Sequence, residues 1–160
     1  MSGQGSAVVI TCSTRAAAGV YPDLSGPIIV EALRGWGLAV GDVVVVPDGP
    51  DVEMALRAAI STGAGLVVTT GGTGLTPTDG TPEATERVVD RLVPGITEAI
   101  RAAGLRAGIP TAMLSRGVSG VAGQTLVVNL SGSTGGVRDG LSVLQTVVAH
   151  ALSQIQGGDH

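Results

Sequence analysis

The sequence predicts an α/β protein: a three-layer sandwich with a mostly parallel sheet between two layers of helices. Two observations carry the prediction. Short apolar runs rich in Val, Ile and Leu alternate with stretches of helical periodicity along the chain, the pattern of repeated strand–helix crossovers. The loops after the apolar runs are rich in Gly, Ser, Thr and Asp, as expected where parallel strands bring their carboxyl ends to one ligand-binding rim. A chain of 160 residues suits a single domain, residues 1–160, with flexible ends over about 1–6 and 156–160.

The elements follow in order. Residues 7–12 read as a buried strand, and a loop of small and polar residues runs from Ser13 to Asp23. Residues 24–33 read as a helix that Asp23 or Ser25 caps and Gly35-Trp36-Gly37 ends. The valine run within residues 39–46 argues for a second strand buried on both faces. Pro47-Asp48-Gly49-Pro50 turns the chain into a helix over 51–61, with Val52, Leu56, Ala59 and Ile60 on one face. Residues 65–70 form the third strand. A glycine-rich loop follows, and then a helix over 83–92, started by Thr81 as cap and Pro82. Pro94-Gly95 resets the chain before a helix over 96–106. Residues 109–123 predict a short extended piece followed by glycine turns. Thr125–Leu130 is the last strand, and Ser131 to Gly136 is a second Gly/Ser loop. A terminal helix carries Val137, Leu141, Leu144, Val148, Leu152 and Ile155 on one stripe.

Composition narrows the function. No apolar run approaches the roughly 18 residues that span a bilayer, and Glu31, Arg34 and Asp42 interrupt the most apolar region. The first residues lack the basic and apolar segments of a signal peptide, so a cytoplasmic location is expected. The lone Cys12 allows no internal disulfide and reads as a small buried hydrophobe. A net charge of −4, no Phe, one Trp and one Tyr argue against nucleic-acid binding. A small phosphorylated ligand remains compatible with that acidity, because backbone N–H groups and two or three local Arg act at short range. His150 and His160 have no Cys or carboxylate at zinc-ligand spacing. So apolar a chain is expected to bury surface in an oligomer.

The most informative stretch runs Thr69-Thr-Gly-Gly-Thr-Gly-Leu-Thr-Pro-Thr-Asp-Gly-Thr-Pro82. Gly71, Gly72 and Gly74 allow positive φ and let N–H groups approach a ligand. Such a loop leading into a helix N-terminus is an anion site. Asp79 inside it suggests a metal ion beside the phosphate.

This stretch closely resembles the signature of the MogA/MoaB family of molybdenum cofactor biosynthesis proteins, which includes molybdopterin adenylyltransferase. Four further motifs match in order: Asp23-Leu-Ser-Gly-Pro27, Val46-Pro-Asp48, Met113-Leu-Ser-Arg116 and Val128-Asn-Leu-Ser-Gly-Ser133. The resemblance runs from about residue 7 to residue 155. It implies the family's molybdopterin-binding fold and an enzyme that transfers AMP from Mg-ATP to the terminal phosphate of molybdopterin, releasing pyrophosphate. It implies Asp48 and Asp79 as the catalytic pair, acting through Mg²⁺ or ordered water. It implies phosphate or pterin contacts from Gly71, Gly72, Thr73 and Gly74. Ser13, Asp23, Ser25, Gly26, Ser115, Arg116, Asn129, Ser131, Gly132 and Ser133 complete the implied substrate site. The family also suggests trimers, sometimes hexamers, and hand-over of product to a molybdenum-insertion protein.

Three positions depart from the family pattern. Thr14 stands where members commonly carry an acidic residue, Gly80 where many carry Val, and the Asn129 to Gly135 loop lacks the usual Lys. Arg138 is the nearest cation to that loop. The alternative reading is therefore a molybdopterin-binding paralogue with little or no transferase activity.

Overall fold

The computed structural model describes residues 5–159. Residues 1–4 and 160, which include most of the expected flexible start, lie outside the described residues. The chain runs β1 (Ser6–Cys12), α1 (Thr14–Ala17), α2 (Ser25–Gly35), β2 (Ala39–Val40), β3 (Val44–Val46), α3 (Pro50–Ser61), β4 (Leu66–Thr70) and α4 (Thr81–Val88). It continues through β5 (Arg91–Leu92), α5 (Pro94–Arg106), a 3-10 helix over Pro110–Leu114, β6 (Ser119–Ala122), β7 (Thr125–Leu130), α6 (Thr134–Leu144) and α7 (Val148–Ile155). The sheet order is β2-β1-β4-β7-β6-β5, and β3 also pairs with β1.

The expected mixed α/β sandwich is what forms. The strands β1, β2, β3, β4 and β7 are parallel, with Val9 opposite Val68 and Val68 opposite Val128. Strand alternation sorts the core into two layers. Val9, Leu66, Val68, Leu126 and Val128 face helices α2, α5, α6 and α7. Ile10, Cys12, Val67 and Val127 face α3 and α4. β4 is the sheet's centre and all five of its residues are buried.

Several expectations need correction. The second strand is not continuous and not buried on both faces. It breaks at Gly41-Asp42-Val43 into β2 and β3, both at the sheet edge, and Val44 is 40% exposed. A valine run reports β propensity, which an edge strand shares with a central one. The helix expected over 83–92 stops at Val88, because the chain then turns into β5. Thr81 is not its cap. Gly80 holds that position, and Thr81 is the first helical residue, fully buried. Pro94 does not precede a helix but opens one.

The segment 109–123 contains more structure than its glycines suggest. It forms the 3-10 helix and then β6, antiparallel to both β5 and β7. Gly120 is a strand residue rather than a turn: a Cβ there would meet the Arg91 carbonyl oxygen at 2.6 Å. Gly123, with φ 58°, makes the tight turn into β7. The terminal helix is two helices. Thr146 Oγ1 donates to the Val143 carbonyl at 2.7 Å, and this local bond accompanies the break between α6 and α7. The apolar stripe survives the break, since all six of its members pack into one cluster.

Among the described residues no helix is long and apolar enough to cross a membrane. Because Leu66 is fully buried on the central strand, Leu66→Ala is expected to lose about 2–5 kcal/mol in urea unfolding. Leu92→Ala, at a 59% exposed edge position, is expected to stay within about 0.5 kcal/mol. Equal losses at the two positions would contradict this placement of the core.

Candidate functional site

Parallel strands place their carboxyl ends on one rim, and the helices that follow them start there. The segments after β1, β3, β4 and β7 meet at this rim, with the first turns of α2, α3, α4 and α6 around it. Their unpaired N–H groups make the rim electropositive without side-chain cations.

Backbone contacts knit the rim. Gly71 takes φ 91°, and a Cβ there would collide with the Cys12 carbonyl. Its N–H donates to the Leu130 carbonyl at 3.2 Å. Thr70 Oγ1 donates to the Ser131 carbonyl at 2.7 Å and Ser25 Oγ to the Gly132 carbonyl at 2.9 Å. These bonds tie the strand ends of β4 and β7 to the start of α2.

Two pockets open on the rim. The first, of about 330 Å³, is lined by Ser13, Tyr21, Asp23, Ser25 and the ridge described next. The second, of about 610 Å³ and more open, is lined by Gly72, Thr73, Gly74, Asp79, Ser115 and Ser131. Gly71, Gly132 and Ser133 line both, so they form the ridge between the pockets. Ser133 also caps α6, its Oγ accepting from Gly136 N at 3.1 Å.

The expected site residues divide into those that reach a pocket and those that hold it. Ser13 is on the wall of the first pocket and its Oγ accepts from Ala16 N, capping α1. Asp23 is on the same wall, accepting from Thr11 Oγ1 at 2.9 Å and Gly26 N at 3.0 Å. Gly26 lines neither pocket; it is buried where a Cβ would strike Asp23 and Thr11. Asp79 faces the second pocket, one oxygen accepting from Thr76 N at 3.1 Å.

Besides Gly26, three expected site residues line neither pocket. Asn129, expected on the pocket wall, is 2% exposed beneath it. Its Oδ1 accepts from Val118 N and its Nδ2 donates to the Thr69 and Thr85 hydroxyls, which spends its hydrogen-bonding capacity on joining β7, β4 and α4. Arg116 donates from Nε to the Gly74 carbonyl at 2.9 Å and from Nη2 to the Asp79 carbonyl at 3.0 Å, and pairs with Glu83. It therefore holds the glycine loop in shape. Asp48 sits in the turn between β3 and α3, under Gly72.

The local Arg expected at the ligand are absent from the walls: among the described residues no Arg lines either pocket. Arg138 lies instead in an outer groove with Trp36 and Glu31. Nor do three or more His, Cys, Asp or Glu side chains converge as a metal cage among the described residues. Three polar atoms at the rim are sealed from solvent without a regular hydrogen bond: Asp48 Oδ1, Thr81 Oγ1 and Ser131 Oγ. Such atoms are costly unless a ligand, ion or water completes them.

Burial pushes the Cys12 thiol up to about 11, with the Thr81 hydroxyl opposing the rise and the Asp48 charge adding to it. Cys12 is thus a neutral packing residue at physiological pH. Thr11 and Tyr21 also shape the rim and lie outside the quoted motifs, while Thr70 and Thr81, inside the stretch 69–82, carried no motif signal of their own as site residues. Thr11 and Thr70 had a positional signal available: each is polar at the carboxyl end of an apolar strand.

A family profile described as a probable molybdopterin binding domain matches residues 8–150. The chain belongs to this family. A molybdenum cofactor biosynthesis bifunctional protein of Synechococcus elongatus is 40% identical over 155 residues, covering 96% of this chain. The chain spans about half of that relative, 48% of its length. A molybdopterin adenylyltransferase of Helicobacter pylori is 35% identical over 153 residues, covering 93% of this chain and 86% of the relative. The solved molybdopterin biosynthesis Mog protein of Mycobacterium ulcerans superposes with a TM-score of 0.90 at 56% identity, over 94% of this chain and 99% of that one. The molybdopterin-binding family thus spans nearly all of the described structure, rim and core alike.

The Arg116 guanidinium holds the Glu83 carboxyl below its ordinary value of 4.5. A lowered value in the folded state means that the pair's support is complete above 4.5 and is lost as pH falls through the folded value. Both side chains are substantially exposed, so the effect is local rather than global. Loop 72–80 is expected to exchange its amides faster, after correction for intrinsic rates, as pH drops below 4.5. Glu83→Gln is expected to be loosened at neutral pH already; a loop equally protected in both proteins at neutral pH would contradict the assignment.

Proposed function

We propose that the protein transfers AMP from Mg-ATP to the terminal phosphate of molybdopterin, giving adenylylated molybdopterin and pyrophosphate. The observation that carries this reading is the pair of pockets sharing the Gly71–Gly132–Ser133 ridge. Two separate ligands seated there would bring one phosphate from each side to a wall of backbone N–H groups and hydroxyls. The Helicobacter pylori relative, named a molybdopterin adenylyltransferase over most of its length, supports the same reading.

The chemistry asks for positioning more than for a strong base. A phosphate monoester is already an anionic nucleophile. Its oxygen attacks the α-phosphorus of ATP, the bond to the bridging oxygen of the β-phosphate breaks, and pyrophosphate leaves. Aligning the two groups and stabilising the spreading charge lower the barrier. The N–H groups of Gly72, Thr73 and Gly74 serve the phosphates in the second pocket, while Gly71, whose own N–H is held by the Leu130 carbonyl, gives the phosphates a side-chain-free surface. Ser115, Ser131, Gly132 and Ser133 add donors, and Ser13, Asp23 and Ser25 meet the ligand in the first. Arg116, Asn129 and Gly26 fix the walls.

Mg²⁺ fits this donor set. It takes hard oxygen ligands, keeps several waters, and needs only one or two carboxylates when phosphates are present. Asp79 offers a carboxylate on the pocket wall and Asp48 an unpaired oxygen beneath it. When bound, the ion would neutralise phosphate charge that no Arg on the walls meets. A homotrimer, or a hexamer built from it, accords with exposed Leu75, Met113 and Leu114 near the second pocket. A cytoplasmic setting accords with the single free cysteine, and a molybdenum-insertion protein is the proposed recipient of the product.

The lack of wall Arg favours one second reading, a protein that binds molybdopterin with little or no transfer. Turnover decides between them. With Mg-ATP and molybdopterin, the protein is expected to form adenylylated product, and Asp79→Asn to reduce kcat by about 10²–10³-fold. Pterin binding without product, under conditions where a known transferase works, would leave the binding protein.

A further inference from the structure

The departure at Thr14 has a structural counterpart. Thr14 opens α1 beside the β3–α3 turn. Its Oγ1 donates to Asp48 Oδ2 at 3.0 Å and accepts from Asp48 N at 3.2 Å. Its own N–H lies 3.4 Å from the same Oδ2. One hydroxyl thus grips Asp48 at both its carboxylate and its backbone.

The grip leaves the other oxygen pointed inward. Asp48 Oδ1 is sealed from solvent without a partner. It lies 3.1 Å from the point that a Gly72 Cβ would occupy, and Thr81 Oγ1 lies against the same point. Asp48 Oδ1 and the Thr81 hydroxyl, which also lies against the Cys12 thiol, therefore converge from different elements under Gly72. Two alternatives would waste Asp48. An Oδ1 rotated outward would be solvated, and a carboxylate free to rotate would have to be ordered in every turnover.

Thr14 itself is held without its hydroxyl. Ser13 N donates to the Val46 carbonyl at 2.9 Å, and the Ser13 side chain caps α1 through Ala16 N. The backbone that carries Thr14 is thus fixed by its neighbours, so removing the hydroxyl frees Asp48 without unravelling the turn.

We propose that Thr14 is the positioning residue of the proposed transfer reaction, fixing Asp48 so that Oδ1 is directed to the space between Gly72 and Thr81. This rests on the adenylyl-transfer reading for its kinetic consequence, but the geometry is testable apart from it. Asp48 Oδ1 then acts beneath the glycine loop, and Thr14 touches neither substrate.

The test compares wild type, Thr14→Val, which keeps the shape and loses the hydroxyl, and Thr14→Ser, which keeps the hydroxyl. Two readouts are taken on each: kcat and KM for AMP transfer, and the side-chain carboxyl ¹³C resonance of Asp48 in the free protein. Thr14→Val is expected to lose roughly 10- to 100-fold in kcat with KM for ATP changed less than about 3-fold, and to shift the Asp48 resonance. Thr14→Ser is expected to restore both towards wild type. An unmoved Asp48 resonance in Thr14→Val overturns the proposal. So does an unchanged kcat in an active wild type, or a Thr14→Ser that behaves like Thr14→Val. If the wild type transfers no AMP, the functional reading fails on that result alone, and the resonance still decides whether Thr14 fixes Asp48.

Discussion

The rim depends on one close approach of backbones. Gly71 leaves β4 with a positive φ, its Cα face against the Cys12 carbonyl of β1 and its N–H on the Leu130 carbonyl of β7. A side chain at Gly71 would strike the Cys12 carbonyl and push the ends of β4 and β1 apart. A Cβ at Gly132 would in turn stand 3.4 Å from the Gly71 Cα, so the two glycines form a ridge of bare backbone. The ridge is thin enough for two pockets to share it, and with the Gly71 N–H held by Leu130, anions are left to the loop N–H groups beside it. The hydroxyls of Thr70 and Ser25 then fasten the adjoining loops to it.

Around that ridge, polar side chains are spent on architecture more than on ligand. Asn129 is consumed in joining β7, β4 and α4, and Arg116 in holding the carbonyls of Gly74 and Asp79. This explains how an acidic protein with nine basic residues can hold an anion site whose walls carry no Arg. The attraction comes from helix starts and loop N–H groups, whose positions the buried polar bonds fix. The carboxylates that remain, Asp23, Asp48 and Asp79, are each held by at least one neighbour.

The parallel half of the fold was legible because its strands are short apolar runs separated by helices with a clear apolar stripe. The antiparallel half was not. β5 has two residues, and β6 reads Ser-Gly-Val-Ala. Gly120 looks like a turn residue but is required by the backbone of Arg91. Edge and centre were also confused at residues 39–46, since valine fits both. At the site, the glycine loop, Asp79 and the Ser131 to Ser133 turn were readable as chemistry on a strand end. What was not readable was direction. Asn129 is buried beneath the rim, Gly26 is packed against Asp23 and Thr11, and Arg116 turns onto the carbonyls of Gly74 and Asp79, and only the folded contacts reveal that. Thr14 was visible as a departure, and its bonds to Asp48 emerge only once the β1 and β3 ends are side by side.

The central claim is that two ligands meet across the Gly71–Gly132–Ser133 ridge. The most direct measurement is a crystal structure of the protein with adenylylated molybdopterin. The account predicts the product's diphosphate on the ridge, with its pterin in one pocket and its adenosine in the other. Both ends of the product lodged in a single pocket, or the diphosphate bound away from the ridge, would contradict it.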